Sequence, residues 1–226
     1  MNDIYTSSED QKDNIELLHE HNINIENREI FLTSWLDNEN NEESGVEYRM
    51  ATQFIKNLSI LEHQNHYPIL IRMHSIGGMW NDGIAIYDAI KTAQSPIIIM
   101  AYAHARSMTS IILQGATRRI LMPNTQFMIH LGTLEDSGEY QAVMSSLNMT
   151  KKEADIMLNI YANRCQIGPF FQKKSYTNNS IKKFLTKQMR QKTDWWLTAE
   201  EALKYGFCDG IFGQSPYLTI EDVINV

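Results

Sequence analysis

Cysteine is scarce in this chain: Cys165 and Cys208 are the only two among 226 residues. They stand far apart without a Cys-x-x-Cys spacing, which argues against a disulfide or a metal pair and for buried thiols in a reducing compartment. No apolar run approaches the roughly 20 residues that span a bilayer, so no membrane partner is expected. Excess positive charge is also missing. The formal net charge is −7 with both signs interspersed, and no basic face invites nucleic acid. No Gly-Lys-Ser or Gly-Lys-Thr follows a glycine turn, so the chain carries no phosphate loop. The opening stretch, Met-Asn-Asp-Ile-Tyr-Thr-Ser-Ser-Glu-Asp, is polar and acidic where a signal peptide would be apolar. His19 and His21 stand without further ligands nearby, so neither a metal nor a cofactor is expected. A soluble, cytoplasmic protein is the expectation.

What is present is apolar residue in plenty, 43% of the chain, enough to bury one proper core. Residues 1–25 read as a flexible acidic arm whose only compact apolar cluster is Ile15, Leu17 and Leu18. Residues 26–215 read as one α/β domain, and residues 216–226 as a dispensable tail. Strands are predicted at Arg28–Thr33, Pro68–Met73, Ile97–Met100, from Arg118, and at Gln126–His130. Helices are predicted over Val46–Leu61, Asn81–Thr92, Tyr140–Asn163 and Ile181–Gln191, with an irregular stretch from Cys165 to Asn179. Thr198 with Glu201 three residues later is a capping box, and Gly206 ends the helix it opens. Strand, Gly-Gly turn, helix and strand make a βαβ unit, so the sheet should be mostly parallel.

The stretch Ser95–Ala116 carries the chemistry. Ile97–Met100 is a β-branched run typical of a buried strand, and Met108, Ile111 and Ile112 follow at helical spacing. Ser107 therefore lies where a strand turns into a helix. Unpaired N–H groups and a positive dipole end are on offer there. A serine hydroxyl is inert at neutral pH without a base, so this reading requires a histidine and an orienting acid. Otherwise Ser107 merely caps its helix. His130 ends a strand at the same sheet edge, where ligands of open α/β sheets gather. Asp194 stands beside Trp195 and Trp196, which are expected to exclude water from it.

Four blocks then stand in fixed order: Ser75-Ile-Gly-Gly, Ala103-His-Ala-Arg-Ser-Met, Pro123-Asn-Thr-Gln-Phe-Met-Ile-His, and Asp194-Trp-Trp-Leu-Thr-Ala-Glu-Glu-Ala-Leu-Lys-Tyr-Gly. Together they resemble the proteolytic subunit of the Clp protease, a serine peptidase on the crotonase-like fold. The likeness covers roughly Arg28 to Ile211. It implies Ser107 as nucleophile, His130 as general base and then acid, and Asp194 as the residue that holds the imidazole. It implies an oxyanion hole from the N–H groups of Gly78 and Met108, and substrate contacts at Gly77, Met79 and Trp80. A strand just after Gly78 would pair with an extended substrate. Trp80 would narrow the first side-chain pocket toward small residues. The resemblance further implies seven-membered rings, homo- or hetero-oligomeric, stacked through a protruding long-helix handle at about residues 132–165. It also implies unfolded polypeptide substrates, delivered by an ATP-driven AAA+ unfoldase of the Clp type. The plastid stroma becomes a second candidate location.

Several residues depart from the family pattern. Ile76 replaces proline and predicts a less rigid turn. Arg106 replaces a small residue before the nucleophile, and Thr109 replaces a glycine after it. Leu131-Gly132 stands for Gln-Pro, and Thr193 for a basic residue. These departures motivate an alternative, a catalytically silent ring subunit, reached if Arg106 turned inward onto Asp194; Arg106 is expected to point away instead. A third reading, an acyl-CoA enzyme on the same fold, would need no Ser-His-Asp set.

Overall fold

The computed structural model describes residues 8–34, 43–133 and 135–225. It opens with helix α1 (Ser8–His21) and a two-residue strand β1 (Ile23–Asn24). Ile23 is buried and Leu17 packs on the core. The segment read from the sequence as a flexible arm is thus helical from Ser8, and its far end is anchored by those two side chains. Residues 1–7 of that arm lie outside the described residues.

Two βαβ steps follow: β2 (Glu29–Thr33), α2 (Tyr48–Gln64), β3 (Ile69–His74), α3 (Trp80–Thr92) and β4 (Ile97–Ala101). Helix α2 forms because Met50, Phe54, Leu58 and Leu61 make one buried stripe, while the Glu47 carboxylate accepts from the N–H groups of Arg49 and Met50. All five residues of β4 are buried. Ile97, Ile99 and Ala101 join the main core, and Ile98 and Met100 join a second cluster on the opposite face of the sheet. A continuous apolar run is what a central parallel strand covered on both faces requires.

The chain then leaves this sheet. Ala103, at φ +52°, turns it into a short strand β5 (His104–Arg106). After β5 come α4 (Met108–Ile112), prolonged by a 3-10 turn at Leu113–Gly115, and strands β6 (Arg118–Leu121) and β7 (Gln126–Ile129). Next are α5 (Tyr140–Cys165), α6 (Pro169–Lys173), α7 (Asn178–Lys192), β8 (Trp195–Leu197), α8 (Ala199–Tyr205), β9 (Gly210–Ile211) and α9 (Ile220–Ile224). The large sheet runs β1-β2-β3-β4-β6-β9, parallel except for β1. A second sheet runs β5-β7-β8, with β8 antiparallel to β7.

Helix α5 has 26 residues, about 39 Å at 1.5 Å per residue. Its buried residues all lie between Met157 and Cys165. The earlier turns stand away from the core, with Met149 50% and Ile156 46% exposed. The stretch expected to be irregular holds α6 instead. Phe171 from α6 joins Phe170, Tyr176, Phe184 and Tyr205 in an aromatic cluster that also holds Trp195. The C-terminal tail is also more than an appendage. Val223 is buried against the second cluster, and the Arg118 guanidinium donates to the carbonyls of Val223 and Asn225, both at 2.7 Å. Cys165 and Cys208 are free, buried thiols. Burial pushes both pKa values up, that of Cys208 to about 12.

Candidate active site

The small sheet assembles the site. Strands β5 and β7 are parallel, with Arg106 opposite Met128, so the residues after them emerge at one edge. Those residues are Ser107 and, one further along β7, His130. Strand β8 runs the other way and pairs Trp195 with Ile129, so the residue before it, Asp194, arrives at the same edge. The three side chains meet in line. The Ser107 hydroxyl lies 2.8 Å from His130 Nε2, in hydrogen-bond contact, and His130 Nδ1 stands 3.2 Å from Asp194 Oδ1 on the other side of the ring. A carboxylate facing Nδ1 favours the tautomer that carries its proton there, which leaves Nε2 as the acceptor toward the serine hydroxyl.

Ser107 occupies the N-cap position of α4, yet its side chain makes no cap bond. The helix-cap reading of this residue is therefore set aside: the hydroxyl is spent on His130. Its backbone sits at φ 51°, ψ −125°, a region that costs about 1–3 kcal/mol for a residue with a Cβ. The surroundings hold it there. Ser107 N–H donates to Met128 O at 2.9 Å, and the Ser110 hydroxyl donates to Ser107 O at 2.5 Å. Tyr161 O–H then completes the chain by donating to Ser110 Oγ at 2.7 Å. Complete burial raises the Tyr161 pKa and keeps it a donor.

Thr109 locks the same turn to the glycine loop. Its Oγ1 accepts from Arg106 N–H at 3.1 Å and lies 2.8 Å from Arg106 O and 3.1 Å from Ser75 O. A glycine could make none of these bonds. Ile76 likewise supplies an N–H, which proline lacks, and donates it to Glu43 Oε1 at 3.0 Å. The turn expected to be less rigid is thus tied down by the replacing residue.

Gly77 and Gly78 have φ +103° and +152°. A Cβ on Gly77 would stand 2.7 Å from Ser107 Cβ, so only glycine lets the loop back onto the nucleophile. Val46 clamps the loop from outside: its N–H donates to Gly77 O at 2.6 Å and its carbonyl accepts from Met79 N–H at 2.8 Å. Among the described residues, the N–H groups of Gly78 and Met108 have no acceptor. Both residues border the cavity at Ser107. The expected substrate-pairing strand after Gly78 is not formed; Gly78 makes an isolated bridge to Val46, and α3 begins at Trp80.

That cavity holds about 360 Å³, with Met79, Trp80, Ile111 and one face of α5 on its walls. This volume falls in the range, ~300–1,000 Å³, that takes drug-sized ligands. Trp80 lines this cavity together with Met79. Gly77 is buried behind Ser107 and does not line it. Glu153 does line it, and nothing in the local sequence marked that residue, because it is placed by the distant docking of α5.

Asp194 is 45% exposed at its side chain and His130 22%. The expected water exclusion by the tryptophans is not found. Trp195 is buried in the aromatic cluster beneath β8, and Trp196 faces outward with the Arg106 guanidinium 5.7 Å over its ring. Arg106 makes no ion pair with Asp194 and points away from the triad, as expected. No group of three or more metal-binding side chains is found among the described residues. Nor is any described helix long and apolar enough to cross a membrane.

Comparison with known proteins agrees in extent. A family model described as Clp protease matches residues 25–215. The chain is 29% identical over 168 residues to the ATP-dependent Clp protease proteolytic subunit of Carsonella ruddii, covering 74% of this chain and 79% of that one. It is 30% identical over 190 residues to proteolytic subunit 1 of Protochlamydia amoebophila, covering 83% of this chain and 81% of that one. It is also 28% identical over 173 residues to the proteolytic subunit of Deinococcus radiodurans, covering 75% and 78%.

Proposed function

This chain belongs to the Clp protease family, with the mixed α/β, crotonase-like fold of that family, and from that premise we propose that it is a serine endopeptidase subunit acting through Ser107, His130 and Asp194. The observation that carries this reading is the 2.8 Å bond from the Ser107 hydroxyl to an imidazole whose other nitrogen faces a carboxylate. In the first step His130 Nε2 takes the Ser107 proton as Oγ attacks the scissile carbonyl. The negative charge that forms on the former carbonyl oxygen is received by the free N–H groups of Gly78 and Met108. Removing one such donor in a serine protease costs about 3–4 kcal/mol in the transition state. His130 then gives its proton to the leaving amine, and water repeats the sequence to free Ser107.

The substrates are unfolded polypeptides, whose extended backbone could reach the glycine loop and the cavity beside Ser107. The projecting part of α5, with exposed Met149 and Ile156, suits contacts between seven-membered rings, and two relatives are named as numbered proteolytic subunits 1 and 2. The partner in this reading is a separate ATP-driven unfoldase, in line with relatives named ATP-dependent Clp protease proteolytic subunits. The silent-subunit alternative gains no support, because Arg106 rests on Trp196 and Thr109 braces the nucleophile turn.

The test is hydrolysis of an unfolded protein such as reduced casein, and of short fluorogenic peptides, by wild type and Ser107→Ala. Peptide release that Ser107→Ala abolishes is expected. An assembled wild-type protein that releases no more than Ser107→Ala would refute the assignment.

A further inference from the structure

Resting on the peptidase reading above, we infer that Glu153 makes the pocket beside Ser107 selective for a cationic side chain, lysine or arginine, on the residue whose carbonyl is attacked. Thr150, Glu153, Ala154, Met157 and Tyr161 line this pocket. Their spacing by threes and fours places them on one face of α5. Tyr161 anchors the inner end of that face through its bond to Ser110. Met157 forms a buried apolar wall one turn further out, and Glu153 follows another turn, ~6 Å along the helix. Trp80, Met108 and Ile111 complete the apolar part.

The pocket is therefore apolar beside the nucleophile and anionic at its far end. A side chain with a long aliphatic stem and a charged tip matches that order. The Glu153 carboxylate is also free to receive it. It is half-buried, and among the described residues it makes no ion pair. The residues three and four away on α5 are Met149, Thr150, Ile156 and Met157, none of them charged. An ammonium or guanidinium entering the pocket meets an unspent acceptor and forms a charge-assisted hydrogen bond. An aspartate or glutamate side chain meets repulsion instead.

The experiment compares two fluorogenic tetrapeptides that differ only at the residue before the scissile bond, lysine in one and norleucine, its uncharged counterpart, in the other. Wild type should cleave the lysine peptide with the higher kcat/KM. The lysine-to-norleucine ratio should fall by about tenfold in Glu153→Gln and invert in Glu153→Lys, which should accept a glutamate peptide. Cleavage of both peptides with no preference, or a ratio unchanged in Glu153→Gln, overturns the pocket assignment and leaves the peptidase reading intact. Absence of any Ser107-dependent cleavage overturns both.

Discussion

Ile129 pairs with Trp195 across the antiparallel strands β7 and β8, and this one register sets Asp194 beside His130. A slip of one residue would turn every side chain of β8 to the other face. The aromatic cluster around Trp195 opposes that slip, since Phe184 and Tyr205 pack on its ring at 5.9 and 5.1 Å.

Asp194→Asn keeps the shape and removes the charge that selects the imidazole tautomer. Peptide turnover should fall by about 10⁴ in kcat, as when the acid of a serine-protease triad is converted to its amide. KM and the unfolding midpoint should barely move. A fall of less than tenfold would mean that Asp194 does not orient His130.

Thr109→Val replaces the hydroxyl that joins Arg106 to Ser75 with a methyl of similar size. Thr109 is fully buried, so Arg106 N–H loses its acceptor at a cost of about 1–3 kcal/mol. Denaturant unfolding checks this loss. The glycine loop should also loosen, so the variant's kcat should fall further than its stability alone explains, and Thr109→Ser should recover both.

Arg106→Ala tests the silent-subunit idea from the other side. The guanidinium over Trp196 is worth about 0.5–1 kcal/mol at an exposed site, and stability should fall by that amount. Because Arg106 makes no bond to the triad, peptide turnover should persist; a marked gain in turnover would show that Arg106 had restrained the site.

His104 stacks on His74 with ring centroids 5.5 Å apart, and its Nδ1 is buried without a partner. Burial, then the nearby Arg106 and His74, lower its pKa, with Glu43 pulling the other way. The unfolded chain takes up this proton near the ordinary histidine value of about 6.5, while the folded state resists it. This contribution to stability is thus complete above about pH 6.5 and is lost as pH falls below that value. Unfolding midpoints measured from pH 7.5 down to 5 should drop less steeply in His104→Gln than in wild type.

Much of the large sheet was legible in the sequence because its strands are long apolar runs and its helices carry buried stripes. Ile97–Met100 and the Met50, Phe54, Leu58 series are examples. Ser107 was legible because it stands between the Ile97–Met100 run and the helical series Met108, Ile111, Ile112, and His130 because it ends the apolar run Phe127–Ile129. That β7 belongs to a second sheet was not legible. Its strand β5 is only His104–Arg106, too short to show a period, and it exists through pairing with β7, residues away in sequence. The roles of Trp195 and Trp196 were hidden for the same reason, since alternation along β8 sends one inward and one outward. Helices α1, α6 and α9 are held by a few apolar side chains, Leu17 in the first, Phe170 and Phe171 in the second, Val223 with Ile220 and Ile224 in the third, whose burial is decided by distant elements. Glu153 belongs with these.

Fluorophosphonate labelling read by intact-protein mass tests most directly whether Ser107 is an activated nucleophile. Wild type, Ser107→Ala and His130→Ala should be treated side by side. An activated serine predicts a single adduct on wild type, none on Ser107→Ala, and labelling slowed by at least ~10³ on His130→Ala. No adduct on an assembled wild-type protein, or an adduct that survives Ser107→Ala, would contradict the triad.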